Sequence, residues 1–194
     1  MRTDERMARL SEVLRRRQPD LRVVMENIHD PHNVSAMLRS CDAVGVLRVH
    51  LVYTQETFPD IGEKSSASAR KWVERVKHRS VEECYAQLRS DGCAIYATRL
   101  DANARPLYDL DLAKPSAFVF GNEHRGVSEE AASQADATVM IPMLGMIQSL
   151  NVSVACAVTL FEAARQRLRA GGYDASQIGD EEFSRLLKAW AMKK

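Results

Sequence analysis

IPMLGMIQSLNVSVACAV, residues 141–158, is the stretch on which the reading of this chain turns. It follows an apolar strand pattern, TVMIP (138–142), and runs into a helical pattern that continues from 151 to 170 and stops at the Gly171-Gly172 pair. Pro142 and Gly145 shape the loop between them, and Met143, Met146 and Ile147 make it apolar. Ser149 and Asn151 stand at the helix start, where either one can serve as N-cap. A helix cap accounts for those two residues without any ligand. It does not account for a loop with so many apolar side chains, which together with two polar anchors suits a nucleoside-like ligand.

Outward from that stretch the same alternation repeats. Apolar runs at LRVVMENI (21–28), VLRVHLV (46–52), CAIYATRL (93–100) and SAFVFGN (116–122) read as further strands. Helical patterns lie between most of them. The clearest cover 34–44, stopped by Gly45, and 81–91, which opens with the capping box Ser80-x-x-Glu83 and closes at Gly92. Near-continuous apolar strands alternating with helices predict an α/β fold with a mostly parallel sheet covered on both faces. At the ends, residues 3–17 form an amphipathic Arg-rich helix ended by Pro19. Residues 173–194 predict another, with Phe183, Leu186, Leu187 and Trp190 spaced to dock on the body or on a second subunit. The expected division is a basic helical extension over 1–20, a body over 21–172 and a C-terminal helical extension over 173–194.

The 194 residues are 45% hydrophobic and 27% charged, the composition of an ordinary globular protein. No window offers the roughly 18–20 uninterrupted apolar residues of a membrane span, and MRTDERMARL is charged where a signal peptide is apolar. A cytoplasmic protein without a membrane partner is expected. Cys41, Cys84, Cys93 and Cys156 are spread singly, with no Cys-x-x-Cys pair and no His at metal spacing, so reduced buried thiols and no metal are expected. The net charge of +1 hides an asymmetry: residues 1–22 carry seven Arg against four acids, and residues 163–194 carry seven Lys or Arg against four acids. The acidic middle between basic ends suits gripping a polyanion at the edges, although solvated helix faces give the same pattern.

Two more segments stand at strand ends. In NIHDPHNVSAMLRSCDAVGV (27–46), Val34, Met37, Leu38, Cys41 and Val44 form the buried stripe of a helix and Arg39 projects from another face. Asn33 occupies an N-cap position, and His29 and His32 are loop residues with no ligand partner at suitable spacing. FVFGNEHRGVS (118–128) breaks an apolar strand at Gly121 and Gly126, with Ser128 placed to cap a following helix. It is neither a dinucleotide nor a phosphate loop, since no Lys-Ser/Thr follows the glycines, so nucleotide hydrolysis is not expected.

In their order and spacing these three segments resemble the SpoU, or TrmH, family of RNA ribose 2'-O-methyltransferases. The matching patterns are N-x-x-x-x-x-R in the first, F-G-x-E-x-x-G-V-S in the second and I-P-M-x-G-x-x-Q-S-L-N-V-S-V-A in the third. VLRRRQPDL (13–21) and EAARQRLRAGGY (162–173) further resemble the branch that modifies guanosine 18 in the tRNA D-loop. The resemblance implies a SPOUT α/β fold whose C-terminal part is threaded into a deep trefoil knot, and a homodimer with active sites at the subunit interface. It implies S-adenosylmethionine held near Thr98, Leu100, Gly121, Ile141, Met146 and Leu150. Asn33, Arg39, Glu123, Ser149 and Asn151 would form the catalytic, ribose-facing set. Arg9, Arg15, Arg16, Arg17 and Arg165 are the candidate tRNA contacts. Position 124 departs from the pattern, with His where relatives usually carry Lys. Two other readings are another RNA target, in rRNA or at the tRNA wobble position, and a non-catalytic RNA-binding knot protein. The Arg-rich ends speak against the first and the intact polar set against the second.

Overall fold

A computed structural model of the chain describes residues 3–59 and 69–193. The five strand patterns read from the sequence form β1 (Leu21–Glu26), β2 (Arg48–Val52), β4 (Ala94–Thr98), β6 (Ser116–Phe120) and β7 (Ala137–Met140). Two short strands, β3 (Glu74–His78) and β5 (Arg105–Pro106), complete a seven-stranded sheet in the order β3-β2-β1-β6-β4-β7-β5, with every pairing parallel. The sequence gives no sign of β3 because Glu74-Arg75-Val76-Lys77-His78 is an edge strand with a single aliphatic residue. Charged side chains on such an edge discourage pairing with a further chain.

The two faces of the sheet explain why the strands are apolar throughout. Leu21, Val23 and Met25 of β1 join Val49, Leu51, Phe118 and Phe120 beneath two helices, α2 (Pro31–Ala43) and α6 (Val152–Arg169). Val24 joins Ile95, Ala97, Ala117 and Val119 on the opposite face, covered by α4 (Val81–Ser90) and α5 (Glu129–Gln134). A four-residue helix, α3 (Ala69–Trp72), precedes β3. Burying a large aliphatic or aromatic side chain contributes about 1.5–3 kcal/mol, so this two-sided core is the dominant stabilising element. Gly45, which ends α2, is required by geometry: its φ is +85° and an added Cβ would lie 2.5 Å from the Arg16 carbonyl oxygen.

The ends of the chain meet each other. Leu10 and Leu14 of α1 (Asp4–Arg15) pack with Ile178 and with Leu186 and Trp190 of α7 (Asp180–Met192), and Arg6 donates to the carbonyls of Ala191 and Lys193 at 3.2 and 2.5 Å. The C-terminal helix, expected from 173, thus starts at Asp180 and docks on its own chain. Beside it, Arg17 is fully buried, with Nη1 donating to the Val46 carbonyl at 3.0 Å, Nη2 paired with Asp42 and its guanidinium 5.1 Å from the Trp190 ring centre. Its expected role as an RNA contact is corrected on that ground: every face of the guanidinium is occupied by protein. Arg167 of α6, which the sequence did not single out, is its counterpart. It donates to the carbonyls of Leu112 and Lys114 and to Gln18 Oε1 and Asp20 Oδ1, joining α6 to the entrance of β1.

The four cysteines are free and buried. His50, His78 and Cys84 bring ligand-type atoms within 4.8 Å of one another under α4. His50 Nδ1 and His78 Nε2 already bond to each other at 2.8 Å, and the Arg22 charge nearby disfavours a cation. We read the pair as neutral. Burial first, and then the charges of Arg22, His78 and Arg48, push the His50 imidazole down to about 3 from 6.5. The unfolded chain therefore binds a proton that the folded chain refuses as pH falls from about 6.5 toward 3, and stability is lost across that window. Urea unfolding at pH 7 and pH 5 should show about 2 kcal/mol of this loss, and His50→Gln should reduce the difference. An unchanged pH slope in the variant would sink this account.

Candidate active site at the strand ends

The loops that follow β4, β6 and β7 line a cavity of about 800 Å³ at the C-terminal edge of the sheet, where open α/β sheets bind ligands. Thr98, Leu100, Gly121, Ile141 and Leu150 line it, as does Ser149 at its mouth. Five of the six residues expected to hold the cofactor are thus brought together. Met146 is not among the lining residues and is 99% exposed, next to the fully exposed Leu144. The expected Met146 contact is corrected for the isolated chain, because the loop turns that side chain outward.

Gly121 allows the second loop to close on itself. A Cβ there would lie 2.1 Å from the Gly126 carbonyl oxygen, so no larger residue fits. The closed loop presents Glu123 to the start of α2. Its carboxylate accepts hydrogen bonds from the amides of His29 (3.0 Å) and Asp30 (3.1 Å) and from Asn33 Nδ2 (2.9 Å). Burial alone would raise the Glu123 pKa, but the bonds from Asn33 and from the amides of His29, Glu123 and Asp30 outweigh it and hold the group below its ordinary value. Glu123 is an anchor in its charged form and a poor proton acceptor.

Asn33 is not an N-cap. Asp30 caps α2, accepting from the His32 amide at 2.8 Å, and Pro31 takes the first helical position. The Asp-Pro pair was a readable signal for that boundary. With the cap supplied by Asp30, Asn33 lies inside the first turn and turns its side chain toward Glu123. Because its Nδ2 donates to Glu123, its Oδ1 faces Asn151 and accepts from Nδ2 at 3.1 Å. Asn151 in turn caps α6, its Oδ1 accepting from the Ser153 amide at 2.9 Å. Cap and site contact, alternatives in the sequence, are both true of Asn151. One chain of bonds, Glu123 to Asn33 to Asn151, therefore crosses from the second loop through the first helix to the third.

Arg39 is not brought into this chain. It is exposed, lies outside the cavity lining and has no partner among the described residues. Six residues beyond Asn33, it sits about 9 Å further along α2 and roughly a third of a turn away from it. Residues to which the sequence assigned no site role also line the cavity, among them Asn122, Arg125 and Gln148, as does the helix cap Ser128. Only their place in the loops signals them.

The model of the SpoU rRNA Methylase family matches residues 20–161, the span from the entrance of β1 to the middle of α6. The chain belongs to this family. A SpoU relative from Thermus thermophilus, named tRNA (guanosine(18)-2'-O)-methyltransferase, is 51% identical over 192 residues, covering 99% of this chain and 98% of its own. Among solved structures, the Aquifex aeolicus TrmH/SpoU tRNA modifying enzyme superposes with a TM-score of 0.91 at 39% identity, covering 98% of each chain. The SpoU methyltransferase AviRb from Streptomyces viridochromogenes, solved in complex with AdoMet, gives 0.67 at 26% identity, covering 78% of this chain and 62% of its own.

In this SpoU chain Asn33→Asp would set a second carboxylate about 3 Å from Glu123 and remove the donor. The expected cost is about 1–3 kcal/mol of stability, together with faster hydrogen exchange at the amides of His29 and Asp30. Unchanged exchange at both amides would show that Glu123 does not anchor that turn.

Proposed function

We propose that the chain transfers the methyl group of S-adenosylmethionine to the ribose 2'-hydroxyl of guanosine 18 in the D-loop of tRNA. The observation that carries this reading is the Glu123–Asn33–Asn151 chain laid along the rim of a strand-end cavity, in a chain whose full-length relatives bear that activity in their names. The cavity suits the group: its volume lies within the range of small-molecule sites, and Leu107, Phe120 and Val139 give it an apolar floor beside the backbone of residues 98–100 and 121. Thr98, Leu100, Gly121, Ile141 and Leu150 would hold the cofactor there, and it would supply an electrophilic methyl on sulfur.

The protein's task is alignment and proton removal. Ser149 and Asn151, at the cavity mouth, orient the ribose. Glu123 fixes Asn33 and Asn151 and takes no proton, since its oxygens are engaged. An arginine is a poor proton acceptor, so Arg39 clamps the RNA phosphate beside the reacting ribose, and that phosphate accepts the hydroxyl proton as the ribose oxygen is methylated. Arg39 reaches the chemistry in a homodimer. On α6, Val154, Phe161 and Leu168 recur at seven-residue spacing and are exposed, as are Leu144, Met146 and Ile147 of the preceding loop. An apolar stripe of this kind calls for a covering surface, and a second copy related by a two-fold axis provides it. Each Arg39 then serves the partner's cavity. A deep knot in the C-terminal part of the sheet, the division into body and two extensions, and a cytoplasmic location complete the proposal. No helix among the described residues is long and apolar enough to cross a membrane. On the α1 side, Arg9, Arg15 and Arg16 are exposed, and Arg165 of α6 is half exposed, so these four remain the candidate tRNA contacts while Arg17 does not.

Three measurements test this. Labelled S-adenosylmethionine with unmodified tRNA should place one methyl on guanosine 18, and tRNA with 2'-deoxyguanosine at that position should stay unlabelled. Label elsewhere would point to another RNA target, and no label on any RNA to the binding-protein reading. Coexpressed Arg39→Ala and Ser149→Ala chains should recover about a quarter of the wild-type rate, because half of the dimers hold one intact site; if Arg39 served its own cavity, recovery would be absent. Replacing Arg9, Arg16 and Arg165 together by Ala should weaken tRNA binding, lower its salt dependence and leave cofactor binding unchanged. Equal losses of both would contradict their assignment.

A further inference from the structure

Glu123 can anchor Asn33 only if the loop that carries it is itself fixed, and two buried asparagines fix it. Asn27, just past β1, is the one non-glycine residue with positive φ, +51°, among those described. Its side-chain Oδ1 accepts from three successive amides, those of Thr54, Gln55 and Glu56, at 2.9, 3.0 and 3.2 Å. Its carbonyl accepts from Asn122 Nδ2 at 2.8 Å. Asn122 is equally occupied: its Oδ1 accepts from the amides of His124 (3.0 Å) and Arg125 (3.2 Å), and its carbonyl from the Gly126 amide at 2.8 Å. Asn27 is thus bonded to both the turn after β2 and the turn that displays Glu123.

Further links run the same way. The turn gathered by Asn27 carries Glu56, which pairs with Arg125 Nη2 at 2.7 Å and with His29 Nδ1 at 3.5 Å. Beside Asn27, the buried Glu26 accepts from the Ser128 amide at 2.9 Å on the far flank of the loop. Glu26 at the end of β1 and Asn27 just past it therefore hold both ends of the segment 122–128.

We propose that Asn27 and Asn122 are positioning residues for methyl transfer, acting through Glu123 on Asn33 and Asn151. The inference rests on the methyltransferase reading above. The chemistry demanded at the two positions differs. Position 27 needs a left-handed backbone and an acceptor toward three amides, which Asp supplies as well as Asn; the one donor contact Asp gives up, from Asn27 Nδ2 to Thr54 Oγ1 at 3.5 Å, is one the threonine hydroxyl can reverse by donating to the carboxylate. Position 122 needs an acceptor and a donor together, and Asp there would set a carboxylate oxygen against the Asn27 carbonyl.

The test compares Asn27→Asp, Asn27→Gly and Asn122→Asp in the full-length protein, with tRNA methylation measured over a range of S-adenosylmethionine concentrations at saturating tRNA. Asn27→Asp should keep kcat within about threefold of wild type. Asn27→Gly retains the backbone conformation but loses the acceptor, and its kcat should fall roughly 10- to 100-fold with KM for S-adenosylmethionine changed less than about threefold. Asn122→Asp should fall by a similar factor. The proposal is overturned if Asn27→Gly keeps wild-type kcat, if Asp at 27 is as damaging as Gly, or if the losses lie in KM. Should Asn27→Gly fail to fold, the opposite outcomes expected of Asp at 27 and Asp at 122 decide the matter. A wild-type protein that transfers no methyl to tRNA would remove the methyltransferase reading itself, a result distinct from active wild type with unresponsive variants.

Discussion

The carboxylate of Glu123 accepts from two backbone amides at the turn before α2 and from the Asn33 side chain inside it, and through these bonds three sequence-distant segments share one geometry. An anion at a helix N-terminus is favoured by the helix dipole and by free amides, so this arrangement is stable without any ligand. It also sets the direction of everything after it. With Asn33 Nδ2 committed to Glu123, its oxygen must face Asn151, and Asn151 must use its own oxygen to cap α6. The polarity of the whole chain of amides follows from one ionised group.

Buried arginines do for the chain ends what Glu123 does for the site. Arg17 and Arg167 are both shielded from solvent, and each donates to carbonyl oxygens and a carboxylate of distant segments. Removing one partner of such a pair leaves a buried charge uncompensated, which is costly. These two residues look in sequence like members of basic RNA-binding flanks. Their neighbours Arg9, Arg15, Arg16 and Arg165 stay exposed, so the charge that faces solvent is a subset of the charge that composition counts.

The chain by itself forms the strand-end cavity without Arg39. Arg39 stands clear of it, and the two most exposed apolar residues, Leu144 and Met146, lie on the loop beside it, with exposed Ile147, Val154, Phe161 and Leu168 continuing onto α6. In the symmetric dimer proposed above, burying the apolar stripe and delivering Arg39 would be the same event. Under that proposal fold stability and catalytic competence would be set by different surfaces, the first by the two-sided core and the second by the covering of α6.

Apolar runs and glycine stops were enough to set the α/β class, the five principal strands and the helices read at 34–44, 81–91 and 151–170, because burial on both faces of a parallel sheet leaves an unbroken hydrophobic record. The motif order located the cavity for the same reason: loops at strand ends are where such a sheet binds. What the sequence could not determine is pairing across distance. β3 leaves no record because an edge strand is half solvated. Asn33 reads as a cap until Asp30 takes that place, and Arg17 reads as a surface charge until Trp190 and Asp42 close over it. The role of Asn27, a residue with no chemistry of its own, appears only when three amides from the next loop converge on its oxygen. Local propensity is written in neighbouring residues, whereas hydrogen-bond partners nearly a hundred positions apart are chosen by the folded chain.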